Sequence, residues 1–511
     1  MKILTGKNSN KLVQKKQTTT RKIIKIMVPC LLLLIVAVLY SSFSIPGNNK
    51  TFEKPEIIMD IPGYPLVFEL NKGDSILIDR TYRNNHITKN VKLIDFRLFR
   101  EYNSWFHDSL GKSDYYKAEI DIVVSGEFFT LKMQPYQLPV AVNGLRIYAE
   151  AVKEIDKIPT LDPVDKMEKD VRFSITLEGE PWGIPADLEF PVSEYRWRSA
   201  SYNNTWGALV PFNLLYYHRG EDYGAIPDKL DVNAWVDGEI ILSPLSGSKN
   251  GSNSIMIRAK NGLIFDYSHC NTEFIDQQIL KGNTVKKGQN IARTGMTWDG
   301  RKSQHSDPHL HTGLGYNGYQ LSLFPYAIEA YLRKYDDKVL AIAGGYRFAK
   351  AGETVELDGT RSVCRDGEKV VSYQWTLHDG QIVNQPTVKL KYTSPGYYSE
   401  ELKVKTASGA SDKDFLQVRV YDQNSNRKIA YGWAYDSPVR NIKSGQDVVF
   451  WNRLINTGTD VKINFGDGTA VQTMRDEIKH SYNKSGNYTV ELSSQGSNNE
   501  PVSVKMEVIV D

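Results

Sequence analysis

The chain is poor in cysteine and histidine, has almost no charge imbalance, and contains only one long apolar run. Its 511 residues include 3 Cys and 9 His. So few cysteines exclude a disulfide-stabilised scaffold. A net charge of +3, from 63 basic and 60 acidic side chains, gives no reason to expect a nucleic-acid partner. Long helical periodicity is nearly absent as well, and the best helix candidate is PYAIEAYLRKY at residues 325–335.

The apolar run extends from Ile26 to Ile45 and follows a basic segment that has no acidic residue. By the positive-inside rule, this flank keeps residues 1–25 in the cytoplasm and exports the rest. Two interpretations compete: a single-pass membrane anchor at residues 26–45, which we favour, and a signal peptide that is cleaved near Ser44. The first predicts a protein of the cell membrane whose bulk is extracytoplasmic, in the periplasm or at the cell surface. The second predicts secretion.

From residue 55 onward the pattern predicts a mainly β protein. Short alternating runs such as KAEIDIVVSG are separated by Gly, Pro, Asn and Asp. Residues 55–185 are predicted to form a β-sandwich-like domain of unknown role, with aromatic residues such as Phe128 and Phe129 in its core. Residues 188–336 are predicted to form an antiparallel β domain.

Residues 338–422 and 429–511 look like one module used twice. Gly380 aligns with Gly468 and Gly396 with Gly486, which gives a repeat of about 90 residues. The modules resemble PKD domains, which are immunoglobulin-like β-sandwiches of exported bacterial proteins. The resemblance implies spacers or surfaces for a glycan or protein ligand, and a structural role for His378 and His480.

Five residues of the second domain have the chemistry of a catalytic metal site: His218, Asp222, His269, His309 and His311. On a strand, His309 and His311 leave by the same face, because successive side chains alternate. Imidazole and carboxylate donors suit Zn²⁺, which in catalytic sites takes three protein ligands and a water. The spacing alone does not decide whether His309 or His311 is the ligand. Cys270 is predicted to be a core residue.

The motifs HRGEDYG at 218–224, FDYSH at 265–269, VKKGQNI at 285–291 and PHLH at 308–311 resemble those of the lysostaphin/LytM-type zinc endopeptidases. The resemblance implies that His218, Asp222 and His311 bind Zn²⁺ and that His269 and His309 are catalytic. It also implies a peptidoglycan peptide as the substrate. The chain departs from the family at Asp307, where a glycine is usual, and in the longer loop at 297–307, so substrate preference stays open.

Two alternatives accompany this interpretation. One is a non-catalytic scaffold or adhesion protein whose β modules bind the cell wall. The other is a protease of extracellular proteins that uses the PKD-like modules for targeting.

Overall fold

A computed structural model describes residues 63–102, 113–156, 167–198, 201–211, 215–246, 254–297, 307–365, 367–422 and 429–511. The predicted cytoplasmic tail at 1–25 and the predicted membrane segment at 26–45 lie outside these residues. Among the described residues, no helix is both long and apolar enough to cross a membrane. The predicted domain boundaries stay predictions, and the architecture is mainly β, as the sequence indicates.

The first domain is a sandwich of two four-stranded antiparallel sheets, in the orders β1-β8-β7-β6 and β2-β3-β4-β5. Alternation builds its core: Ala118, Ile120, Ile122 and Val124 of one strand are all buried, and the residues between them face the other way. The strands are β1 (Leu66–Leu70), β2 (Ser75–Tyr82), β3 (Asn85–Tyr102), β4 (Ser113–Val124), β5 (Glu127–Met133), β6 (Val140–Val142), β7 (Leu145–Val152) and β8 (Val171–Leu177), and helix α1 (Lys153–Asp156) follows β7.

The alternation of β5 corrects one expectation from the sequence. Phe128 is 60% exposed, whereas Leu131 and Met133 are buried. Neighbouring residues on a strand point to opposite faces, so Phe128 and Phe129 cannot both enter the core. Phe129 packs against the core, and Phe128 faces outward.

The second domain contains a seven-stranded antiparallel sheet in the order β11-β18-β15-β14-β13-β16, with β19 paired to β18. Two-stranded ladders β9-β10 and β12-β17 flank it. The elements are β9 (Leu209–Pro211), β10 (Leu215–Tyr217), β11 (Glu221–Gly224), β12 (Asp231–Asn233), β13 (Gly238–Leu242), β14 (Ile255–Ala259), β15 (Ile264–Ser268), β16 (Thr284–Val285), β17 (Asn290–Arg293), β18 (His309–Tyr316), β19 (Tyr319–Leu321), the 3-10 turns Pro244–Ser246 and Thr272–Phe274, and helix α2 (Phe324–Tyr335).

Helix α2 confirms the helix predicted at 325–335. A proline stands in its first turn, where no backbone N–H is needed, and Asp336 ends it in the left-handed conformation at φ 54°. Its buried face packs into the core of the second domain, with the rings of Tyr331 and Phe190 5.4 Å apart. Cys270 is buried in the same core, as predicted, and burial raises the pKa of its thiol to about 12.

The first domain packs directly on the second. All seven residues of β8 are buried, because the face of this strand that turns away from the sandwich core is also covered. Buried Glu150 of β7 accepts a hydrogen bond from the backbone N–H of Ser322 at 2.7 Å, and its backbone oxygen accepts one from Trp206 Nε1 at 2.6 Å. The core of the second domain accordingly includes Tyr148 of the first.

The two C-terminal modules share one nine-stranded sheet, which contains the path β21-β28-β27-β35-β34-β31-β32. The modules join where β27 pairs in parallel with β35, at Tyr397 and Val502. Their strands are β20 (Val339–Leu340), β21 (Arg347–Lys350), β22 (Thr354–Asp358), β23 (Val363–Cys364), β24 (Val370–Thr376), β25 (Ile382–Val383), β26 (Thr387–Lys391), β27 (Gly396–Thr406), β28 (Ser411–Tyr421), β29 (Tyr431–Ser437), β30 (Asp447–Ile455), β31 (Val461–Asn464), β32 (Gln472–Met474), β33 (Glu477–Ser481), β34 (Gly486–Gln495) and β35 (Pro501–Val510).

Candidate metal centre

Three neighbouring strands position the candidate residues. In the pairing of β11 with β18, Asp222 lies opposite His311 and Gly224 opposite His309. On the other side of β18, Ser268 of β15 lies opposite His311, and His269 follows directly after β15. Leu310 is fully buried on the reverse face, as the alternation predicts. The sheet therefore brings together residues that are far apart in the sequence.

His218, Asp222 and His311 converge on one point. Asp222 Oδ1 lies 3.1 Å from His218 Nε2 and 2.8 Å from His311 Nδ1. The two nitrogens are 3.0 Å apart. Two imidazole nitrogens and one carboxylate oxygen that face each other in this way fit the donor set of a catalytic zinc site. Of the two histidines on β18, the geometry places His311 in this group.

Backbone carbonyls fix the tautomers of three of the site's histidines: His218, His269 and His309. His218 Nδ1 donates to Thr205 O at 3.3 Å, which leaves the lone pair of Nε2 towards Asp222 and His311. His309 Nδ1 donates to Asp307 O and His269 Nδ1 to Thr297 O, each at 2.6 Å. A carbonyl can only accept, so the Nε2 atoms of His269 and His309 carry lone pairs.

His269 and His309 lie beside the three converging residues. Their ring centroids are 4.4 Å apart, and His309 Nε2 lies 3.5 Å from Asp222 Oδ1. His269 adopts a left-handed conformation at φ 70°, which is uncommon for a residue with a side chain. Gly295 permits this turn, because a Cβ there would stand 2.3 Å from the backbone oxygen of His269.

Burial sets the protonation states of the site. It lowers the pKa of His269 well below its ordinary value, and the neighbouring His309 and His311 add to this effect. Burial also lowers the pKa of His309, although the charge of Asp222 opposes the shift. Burial alone would raise the pKa of Asp222, but His218 and His309 outweigh it and hold that pKa well below its usual range. Burial thus favours the neutral forms of His269 and His309 beside the Asp222 carboxylate, whereas for His311 the hydrogen bond and charge of Asp222 outweigh burial and raise the pKa.

Residues that the sequence did not single out complete the surroundings. Asn204 pairs with Asp222 through the backbone, and its Nδ2 donates to Asp222 Oδ2 at 3.1 Å. The ring of Tyr202 lies 4.6 Å from that of His309 and stacks on Trp433 of the last module, 5.4 Å away. Neither Asn204 nor Tyr202 belongs to a spacing motif, and only their position shortly before His218 could have drawn attention to them.

The last module also helps to cover the centre. Tyr435 Oη donates to Pro308 O at 3.1 Å, directly before His309. His218, Asp222 and His309 are each only 3% exposed, and the His311 side chain is 18% exposed. The candidate ligands are therefore already assembled, but solvent reaches them only through the partly exposed side chain of His311.

The family comparison fits this geometry. The model of Peptidase family M23 matches residues 216–322, which contain all five candidate residues. Residues 216–322 form a peptidase M23 domain. Models of the PKD domain match residues 339–420 and 435–505. The resemblance of the sequence to LytM-type peptidases followed by two PKD domains is thereby confirmed.

Solved structures of M23 proteins are similar to part of the chain. A putative glycyl-glycine endopeptidase LytM from Ruminococcus gnavus is 21% identical, with a TM-score of 0.22; the match covers 28% of this chain and 62% of that chain. The catalytic domain of a mutant of the prophage-encoded M23 protein EnpA from Enterococcus faecalis is 20% identical, with a TM-score of 0.19 and coverage of 26% and 95%. This chain therefore matches only part of the length of the Ruminococcus protein, 62%.

A further solved structure is similar to about a third of the chain, 34%. A Bacteroides ovatus protein, SGBP-B, described in complex with a mixed-linkage heptasaccharide, is 15% identical, with a TM-score of 0.14. The match covers 34% of this chain and 48% of that chain.

Proposed function

We propose that this protein is a zinc metalloendopeptidase that hydrolyses peptide bonds in peptidoglycan. The observation that carries the proposal is the convergence of His218, Asp222 and His311 within an M23 peptidase domain. Two imidazole nitrogens and one carboxylate give the ligand set that zinc prefers when a fourth position is kept for water. Zinc, when bound, would act as a Lewis acid and lower the pKa of a coordinated water to about 7.

The other two histidines supply the proton transfers. His309 Nε2 carries a lone pair beside Asp222, so it is placed to remove a proton from the attacking water. The hydrogen bond from His309 Nδ1 to Asp307 O stabilises the cation that forms when the proton arrives. His269, whose ring adjoins that of His309, holds its one N–H on Thr297 O while it is neutral, so it would first take up at Nε2 the proton that His309 has removed from the water. Protonated there, it would donate a hydrogen bond to the oxygen of the cleaved carbonyl or pass the proton to the leaving amine.

A substrate peptide needs more room than the described arrangement offers. The Tyr202 ring lies against His309 and is itself held by Trp433. A peptide bond can approach His309 only when this tyrosine moves. We therefore expect the M23 domain and the last PKD module to shift relative to each other during catalysis.

The test of this proposal is the zinc content of the purified chain, compared with His311→Ala. We expect one zinc per chain in the wild type and none in the variant, because the variant loses one of three ligands. His480→Ala is the control, since this histidine lies in the last PKD module and should leave the zinc in place. Absence of zinc from the wild type, even after metal is added, would refute the proposal.

A scaffold function is the second candidate, and the low exposure of the catalytic residues favours it. In this case the M23 fold would serve as a docking surface, and the PKD modules would bind a glycan or protein. The discriminating experiment is binding to isolated cell walls. A scaffold predicts binding that survives His311→Ala together with no hydrolysis by the wild type.

The place of action belongs to the same proposal. We infer that residues 26–45 anchor the chain in the cell membrane and that the catalytic part works outside the cytoplasm, where peptidoglycan lies. The basic residues before the apolar run support this orientation. Digestion of the exposed part by an added protease in intact cells or spheroplasts would test it, because a cytoplasmic chain stays protected.

A further inference from the structure

A tyrosine of the first PKD module reaches the metal centre through one intermediate residue. Tyr346 Oη donates a hydrogen bond of 2.6 Å to Asn204 Oδ1. Asn204 Nδ2 in turn donates to Asp222 Oδ2 at 3.1 Å. Tyr346 stands 142 residues from Asn204 in the sequence, so this link exists only in the folded chain.

The link from Tyr346 ends at Asp222 Oδ2, the carboxylate oxygen that does not face the two histidines. A contact at this atom sets the orientation of the carboxylate. Asp222 Oδ1 faces His218 and His311, whereas Oδ2 faces Asn204. An amide N–H that holds Oδ2 fixes the rotation of the carboxylate, so that Oδ1 alone points at the metal position. Outer partners of this kind orient the ligands of metal sites and tune their affinity.

The environment of Asn204 fixes which end of its side-chain amide faces Asp222 and which faces Tyr346. The side chain is 2% exposed, and its backbone oxygen accepts the N–H of Asp222 at 2.9 Å. Only the NH₂ end of the amide can donate to a carboxylate, so Oδ1 must face the other way, where the hydroxyl of Tyr346 donates to it. Removal of that hydroxyl leaves a buried amide oxygen with one partner fewer.

We propose that Tyr346 is a positioning residue of the metal centre and acts through Asn204 on Asp222. The inference rests on the proposed zinc site and extends it: the first PKD module completes the outer hydrogen-bond shell of the M23 domain. The module is therefore part of the catalytic unit and not only a spacer or a binding surface.

The test measures zinc affinity of the full-length chain by competition with a chromophoric chelator. Tyr346→Phe keeps the ring, and with it the contacts to Phe348 and Trp433, but removes the hydroxyl. We expect zinc to bind about 10-fold more weakly in this variant, and about 10- to 100-fold more weakly in Asn204→Ala. Melting temperatures of both variants show that the chain still folds.

The matched control is Tyr136→Phe. The Tyr136 hydroxyl donates to the backbone oxygen of Asn203 at 3.2 Å, so it holds the same segment without touching the Asn204 amide. We expect zinc affinity to stay within about twofold of the wild type. An equal loss in Tyr136→Phe and Tyr346→Phe would overturn the inference, because general anchoring of the segment would then explain both.

A double-mutant cycle separates action through Asn204 from a structural effect. If Tyr346 acts through this residue, Tyr346→Phe has no further effect on zinc affinity once Asn204→Ala is present. Additive losses would overturn the proposed route. Unchanged affinity in Tyr346→Phe, with one zinc in the wild type, would refute this inference and leave the enzyme proposal intact, whereas a wild type without zinc would refute both.

Discussion

Histidines of the M23 domain and of the PKD modules both pair with carboxylates, but they differ in how many potential metal ligands surround each carboxylate. His480 Nε2 lies 2.7 Å from Asp467 Oδ2, and its ring stacks on Phe465 at 3.9 Å. His378 Nδ1 lies 2.7 Å from Glu400 Oε1. These pairs are as short as the contact between His311 and Asp222. A histidine next to a carboxylate is thus not sufficient for a metal site.

The decisive difference is the third donor. In the M23 domain His218 also points at the atom Asp222 Oδ1 that His311 contacts. In the last module the rings that contact His480, besides its partner Asp467, are those of Phe465 and Tyr482, and neither residue type is a usual zinc ligand. The comparison supports the predicted structural role for the two module histidines. It also predicts that substitutions of different histidines have effects of different magnitude.

The largest effect is expected for His309→Ala. The variant keeps all three residues of the converging group and loses only the proposed base, so hydrolysis of isolated cell walls should fall by about 10²- to 10⁴-fold while zinc stays bound. Release of soluble peptides measures the rate, and elemental analysis measures the metal. His480→Ala is the matched control and should hydrolyse walls at nearly the wild-type rate. A His309→Ala variant with full activity would exclude this residue as the base.

A smaller effect, on stability and with a defined pH dependence, is expected at His378. The hydrogen bond to Glu400, helped by its charge, raises the pKa of His378. The stabilisation is fully present below the unfolded pKa of about 6.5 and is lost as the pH rises through the raised folded value. The melting temperature of the wild type should therefore exceed that of His378→Gln most at about pH 5–6 and least near pH 9. A gap that widens with pH would contradict this assignment.

The smallest effect is expected for His86→Ala. Its side chain is 60% exposed on the first domain, and its contacts are with Thr81, Thr88 and Asp79 on the surface. The free energy of unfolding should change by no more than about 0.5 kcal/mol, and zinc content should not change. Chemical denaturation measures the first quantity. A loss above about 2 kcal/mol would show that exposure is a poor guide to the role of histidine in this chain.

Much of the fold was predictable, because alternation and turn residues act locally. The mainly β character, helix α2 and the burial of Cys270 follow from patterns within a few residues. Phe128 shows that residue type alone does not predict burial. An aromatic residue was expected in the core, but its position in the alternation of the strand places its side chain on the outer face. His107 and His305, for which the sequence suggests surface positions, lie outside the described residues.

The clustering of the five candidate residues also follows from local motifs, whereas their roles as ligands and catalytic groups stay predictions. Their motifs are short and local, and one strand places His309 and His311 on one face. The contribution of Asn204 could not be predicted because it depends on an isolated backbone pairing with Asp222, and that of Tyr346 could not because it depends on how separate domains pack. The same holds for Glu150, whose role in joining the first domain to the second appears only when both surfaces are in contact.

The ion pair between Arg198 and Asp436 joins the segment before the M23 match to the last PKD module. Arg198 Nη2 lies 2.9 Å from Asp436 Oδ1, and the two side chains are only 6% and 3% exposed. Loss of one partner from a buried pair costs about 3–5 kcal/mol, because the other charge stays without compensation. Exchange of the terminal module for another of the same fold would therefore destabilise the chain unless the new module also carried an acid at this position. The place of the terminal module is in this sense tied to the segment that precedes the M23 domain.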